Sequence, residues 1–245
     1  MTETDWLTLT DPFAMLDQIR GPSSHLDLPV VATDRQLLLW ASACCRRVGI
    51  VVDDARWLDA VRVVERFADG KAAYQDVLAV GREMQKWFEE LGGYGNVSPV
   101  AMVARSCADL AAGVDSAYDS MGTPFLVPAE EATRWAVAAV RESAGCAAAE
   151  QEKAVQCSLL HDILGNPFRP AVQQGGWRTP PVLTLTHEIY QGRWFGRLPE
   201  LAEALAHAGC NDEAALSHCQ SEGAHVLGCW VLDMCLQRAD RLRWT

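Results

Sequence analysis

Along most of its length the chain places apolar residues three and four positions apart, and almost nowhere does it hold a β-branched run that alternates apolar with polar. Such spacing gathers the apolar side chains into one stripe on a helix, whereas a strand would scatter them over both of its faces. The stripe is clear in Leu37, Leu38, Ala41, Cys44, Cys45 and Val48, and again in Leu58, Val61, Val64, Phe67 and Ala68. Glycines, prolines and Asp or Ser capping signals interrupt it at intervals. The expected fold is all-α, an irregular multi-helix bundle of about nine helices.

The interruptions set the expected boundaries. A short helix at 12–19 precedes a loop at 20–33 that carries Pro22, Ser23, Ser24 and Pro29. Asp34 is expected to cap the next helix and Asp54 to start the one ended by Gly70. A helix at 72–91 stops at Gly92-Gly93, and Ser98-Pro99 pairs an N-cap with a first-turn proline, which sacrifices no hydrogen bond there. After a break at 124–128, Glu130 and Glu131 begin an alanine-rich stretch, one helix or two, that ends at GNPFRP (165–170). A loop extends to Pro181, and helices are expected at 182–190, 199–208, 212–220 and 225–242. Residues 1–123 and 128–245 read as two lobes on one continuous core.

Charge and composition then narrow the function. Hydrophobic residues make up 49% of the 245, which excludes a disordered chain. Lys and Arg number 21 against 32 Asp and Glu, and the net charge of −11 repels a phosphate backbone. The basic clusters, Arg46-Arg47 and Arg238, Arg241 and Arg243, are too small to reverse that field, so no nucleic-acid partner is expected. No apolar stretch approaches the ~18 residues of a membrane span, and the acidic start MTETDWLTLTDPF is unlike a secretory signal. A soluble cytoplasmic protein is expected. Its nine cysteines, mostly in apolar helical stretches, then read as reduced core residues.

Three segments together (LLLWASACCRRV with AVRVVERFADG; LLHDILGNPFRP; and IYQGRWFGRLPELAEALAHAGC with LSHC and HVLGCWVLD) resemble a family of uncharacterised bacterial all-helical proteins. The resemblance covers roughly the first 70 residues and the last 90, not the alanine-rich middle, and implies helical architecture without an activity. In that pattern an arginine usually stands where this chain has His161, which speaks against a general catalytic role for His161.

The most specific constellation is Cys210, His218, Cys219, His225 and Cys229. His225 and Cys229, four apart on an expected helix, share a face, and Cys210 and His218 would complete a Cys2His2 set suited to zinc. The spacing matches no standard finger, and the other reading makes His225 a helix cap and Cys229 a core residue beside Trp230. That second reading is the one adopted, with no metal or cofactor expected. Asp233, in an apolar context on the same expected helix, needs a partner, for which Arg47, Arg169 and Arg193 are candidates. Pro167 and Pro170 restrain Phe168 and Arg169, so Phe168 is expected between the lobes and Arg169 against Asp162 or Asp233. His161-Asp162 lacks the further ligands of a His-Asp phosphohydrolase centre. Cys44-Cys45 precede two arginines able to lower a thiol pKa. No nucleophile elbow, phosphate loop or dinucleotide fingerprint occurs.

Two functions remain. One is a helical module binding a protein or peptide partner, with loop tryptophans such as Trp177 and Trp194 either anchoring the long connection or lining a groove. The other is a small-molecule-binding protein or enzyme with an inter-lobe site built from Asp162, Arg169, His225 and Asp233. A deep pocket on which those four converge favours the second.

Overall fold

The structure is a computed structural model, which describes residues 2–19, 32–49, 54–95, 98–116, 126–169 and 175–238. Among the described residues it is all-α: twelve α-helices and no strand, joined in places by short 3₁₀ turns. The first six are α1 (Glu3–Thr8), α2 (Pro12–Ile19), α3 (Asp34–Val48), α4 (Arg56–Ala68), α5 (Tyr74–Glu90) and α6 (Pro99–Ser116). The last six are α7 (Leu126–Ala144), α8 (Cys146–Leu164), α9 (Pro180–Gly192), α10 (Leu198–His207), α11 (Glu213–Cys219) and α12 (Trp230–Leu236).

Helix α3 is the central element, since it packs against α4, α6, α7 and α8 at once. Its expected stripe is buried, and so are Leu39, Trp40, Ser42 and Ala43, because a helix surrounded on several sides buries more than one face. The buried apolar side chains of the described residues form one cluster that runs from Trp6 to Cys235 across the 123/128 division. The alanine-rich stretch is two helices, broken at Gly145 with φ +88, a conformation that favours glycine. Helix α3 is capped by Thr33 rather than Asp34: the Thr33 hydroxyl accepts from the Gln36 amide, and the Gln36 side chain returns to the Thr33 amide. Helix α4 begins at Arg56, with Asp54 accepting from the Arg56 amide just ahead of it. The expected loop at 20–33 lies largely outside the described residues.

Two departures shape the candidate sites. Helix α1 was not expected, having one buried apolar residue, Trp6, in six. It docks on the end of α8: the Trp6 indole N–H donates to the Gly165 carbonyl (3.2 Å), His161 meets the Trp6 carbonyl (2.8 Å), and Glu3 pairs with Arg169 (2.7 Å). Helix α12 starts at Trp230 instead of 225 and stops at Leu236, and residues 239–242 of the expected stretch lie outside the described residues. Residues 221–229 are not helical, because Gly228 adopts φ +90 and Cys229 is the N-cap of α12. A Cβ at Gly228 would lie 2.9 Å from Leu39 Cδ1, so the backbone presses directly onto α3 there.

Candidate functional site

Asp162 lies in the last turn of α8, buried, where the helix dipole disfavours a carboxylate and makes partners necessary. Its Oδ1 is 2.7 Å from His225 Nδ1 and 3.0 Å from His218 Nε2, while Oδ2 accepts from the Val226 amide at 2.9 Å. Cys229 Sγ stands 3.3 Å from the same His218 nitrogen. The two imidazoles meet edge to face, centroids 4.9 Å apart, and Trp230 tilts against His218 at 5.3 Å. One ligand-capable atom from each of Asp162, His218, His225 and Cys229 lies within 4.8 Å of all the others.

Burial pushes the Asp162 carboxyl up, but the bonds from His218 and His225 outweigh it and hold the group below its ordinary value. The same contact raises His225 against the opposing effect of burial. The Cys229 thiol is pushed well up by burial and by the charge of Asp162.

Of the reading adopted from the sequence, Cys229 is buried beside Trp230 but His225 caps no helix, and the Cys2His2 set that was set aside differs from this group in two ways. Cys210 is outside it and Asp162 stands in its place. His225 and Cys229 do meet one centre, but as loop and N-cap residues rather than on one helical face. The signal for Asp162 was present in the sequence as a lone carboxylate in an apolar helix end, without anything to say which residues it would meet.

A second polar centre surrounds Arg35, in the first turn of α3, which sequence reasoning missed. Its guanidinium donates to both oxygens of Asp233, to Asp69 Oδ1 (3.1 and 3.3 Å) and to the Tyr190 hydroxyl (2.9 Å). Arg238 reaches Asp69 at 2.6 Å and lies over the Tyr190 ring, 3.9 Å from its centroid. Burial raises Asp69, but Arg238, Arg35 and Tyr190 bring it below the ordinary carboxylate value. Asp233, whose burial outweighs its bonds to Arg35, stays above that value. The partners expected for Asp233 are engaged elsewhere: Arg47 with Glu152 (2.9 Å), Arg169 with Glu3 and Arg193 with Glu65.

Beside this centre opens a cleft of about 140 Å³ lined by Arg62, Glu65, Arg66, Asp69, Lys71, Tyr190, Gln191, Arg193 and Leu227. Its two carboxylates are already matched: Glu65 receives two bonds from Arg46, each 2.6 Å, and a third from Arg193. Arg66 donates to the Lys71 carbonyl (3.0 Å). Arg193 holds φ +55, a left-handed conformation costly for a residue with a Cβ, at the C-cap of α9.

The expected site residues are therefore dispersed. Asp162 and His225 share the histidine group, Asp233 belongs to the Arg35 centre, and Arg169 is exposed against Glu3 instead of meeting either aspartate. Phe168 is half-buried at the edge of the core. Trp177 is buried and anchors the connection to α9, whereas Trp194 is 55% exposed. Cys44 and Cys45 are fully buried, burial pushes the Cys44 thiol well up, and Arg46 and Arg47 are committed to Glu65 and Glu152. Among the described residues, no helix is long and apolar enough to cross a membrane. Compared with protein-family models, curated proteins and solved structures, the chain matches none of them.

Proposed function

We propose that the protein is a non-catalytic helical module that docks an acidic segment of a partner protein at the cleft between α4 and α9. The observation that carries this reading is the convergence of Arg62, Arg66, Lys71 and Arg193 on one cleft of a chain whose net charge is −11. Counting the carboxylates these cations meet, Glu65, Asp69, Asp59 and Asp233, against Arg62, Arg66, Lys71, Arg193, Arg46, Arg35 and Arg238 leaves cations in excess around the cleft, so the local field stays positive.

Size separates this from a small-molecule site. Ligand pockets usually enclose roughly 300–1,000 Å³. A cleft of about 140 Å³ takes one acidic side chain and leaves the rest of its bearer outside. The indole of Trp194, the residue that follows Arg193, folds over Gly192 and supplies an exposed aromatic surface. Tryptophan and arginine are the residues on which docking energy concentrates.

A fluorescent peptide alternating glutamate with leucine, followed by anisotropy, tests the reading. Binding should weaken with added salt. It should fall roughly tenfold in an Arg66→Ala/Lys71→Ala variant, two exposed ionic contacts being worth about 0.2–1 kcal/mol each. Trp194→Ala should weaken it further at unchanged helicity. Equal affinity in these variants, or citrate binding as tightly as the peptide, overturns the proposal.

A further inference from the structure

The histidine group near α12 is independent of the cleft. We propose that Asp162, His218, His225 and Cys229 together bind one divalent transition-metal ion, zinc by the chemistry of the donor set, in a closed structural site.

Each residue turns one donor atom inward: Asp162 Oδ1, His218 Nε2, His225 Nδ1 and Cys229 Sγ. Zinc bonds of about 2.0–2.2 Å to oxygen and nitrogen and about 2.3 Å to sulfur place neighbouring ligands of a tetrahedron roughly 3.3–3.6 Å apart. Three of the six donor–donor separations, 2.7, 3.0 and 3.3 Å, are shorter than or equal to the shortest of those edges, and none of the other three is above 4.8 Å. Side-chain shifts of about an ångström or less per atom, apart for the close pairs and together for the distant ones, would seat an ion at the centre.

The surroundings fit as well. Asp162 Oδ2 is taken by the Val226 amide, which leaves Oδ1 alone to face the centre. His225 Nε2, the nitrogen pointing away, meets the Ser221 hydroxyl (3.3 Å) and carbonyl (3.4 Å), the outer contact that fixes a ligating imidazole. Among the described residues, the buried Asp162 carboxylate has no lysine or arginine partner. A buried carboxylate met by two imidazoles, one of which also meets a cysteine sulfur, is the setting in which a cation supplies the missing charge.

The donors also decide which ion and which role. Thiolate and imidazole select zinc over magnesium or calcium, which want oxygen. Four protein ligands fill a tetrahedron and leave no position for water, so the site holds structure and is not a catalytic centre. Its ligands come from the end of α8, the end of α11, the 221–229 connection and the N-cap of α12. One ion thus ties three helices to a stretch that has no helix of its own.

The test uses the full chain, purified without chelator and without a metal-affinity tag. Elemental analysis should find near-stoichiometric zinc, and a strong chelator should remove it with a fall in melting temperature that added zinc reverses. Cobalt titrated into the stripped protein should give tetrahedral visible bands and a thiolate-to-cobalt charge-transfer band. His218→Ala and Cys229→Ala should weaken cobalt binding roughly 100-fold or more, while Cys219→Ala, a buried cysteine outside the group, retains it. If a variant fails to fold, the cobalt spectrum of the unaltered chain decides alone. A folded metal-free protein that shows no cobalt bands and no zinc-dependent rise in melting temperature overturns the proposal. So does cobalt binding that ignores both substitutions, which leaves the group as hydrogen-bonded side chains only.

Discussion

Removing the Arg35 guanidinium tests whether the second polar centre is a necessary part of the core. The Arg35 side chain is 5% exposed and lies between Asp69 at 4% and Asp233 at 15%. In Arg35→Met the two carboxylates fare differently. Asp69 keeps Arg238 at 2.6 Å, Lys71 at 3.6 Å and the Tyr190 hydroxyl at 2.9 Å. Asp233 keeps only Arg238, whose Nε is 4.0 Å away. Stranding one buried charge in this way costs about 3–5 kcal/mol. Adding Asp233→Asn to Arg35→Met removes the stranded charge and should recover about 1–2 kcal/mol of that loss, since replacing both partners costs less than orphaning one. Arg35→Lys keeps the charge but cannot span two carboxylates and a phenol, so an intermediate loss is expected. Urea unfolding followed by circular dichroism gives the three values. A loss below about 1 kcal/mol for Arg35→Met, or no recovery in the double variant, refutes the reasoning.

Four other outcomes are expected. Trp177→Ala should cost about 3–5 kcal/mol in urea unfolding, and Trp194→Ala less than about 0.5 kcal/mol, because the first is buried and the second largely exposed. Phe168→Ala should cost about 1–2 kcal/mol by the same measurement, below the loss for a fully buried phenylalanine, since the ring sits half-buried at the core's edge. Gly228→Ala should lower stability by about 1–3 kcal/mol, because the new Cβ meets Leu39 at 2.9 Å and φ is +90; an unchanged melting temperature would contradict this. Asp69 has a folded pKa below its ordinary 3.8, so its contribution to stability is present above that value and lost as pH falls through the folded pKa. Asp69→Asn should therefore be less stable at neutral pH and lose less between pH 5 and 3 than the unaltered chain, as acid titrations of the unfolding midpoint will show.

Much of the architecture was legible because it follows from local chemistry. The stripe of α3 and the stop at Gly165 before Pro167 show in short windows of sequence, whereas the pattern leaves the break at Gly145 open between one helix and two. Helix α1 escaped because its one buried side chain gives no periodicity, and its docking depends on residues far along the chain. The apolar pattern over 225–242 overstated α12, since nothing local announces that Gly228 takes a left-handed turn against Leu39. The histidine group was half legible. His218, His225 and Cys229 stand close in sequence, but Asp162 lies 63 residues before His225 and joins them only through packing. Arg35 gave no signal at all, because a charged residue in a first helical turn is ordinarily solvated and its buried partners come from three distant segments.

The clasp between α1 and the end of α8 also sets an order of events during synthesis. Trp6 leaves the ribosome long before the Gly165 carbonyl that accepts its indole N–H, 159 residues later. At about 5–20 residues per second that interval is roughly 8–30 s. Throughout it the indole lacks the Gly165 carbonyl and the His161 ring that it meets in the fold, so α1 closes onto α8 only after about two thirds of the chain has been made.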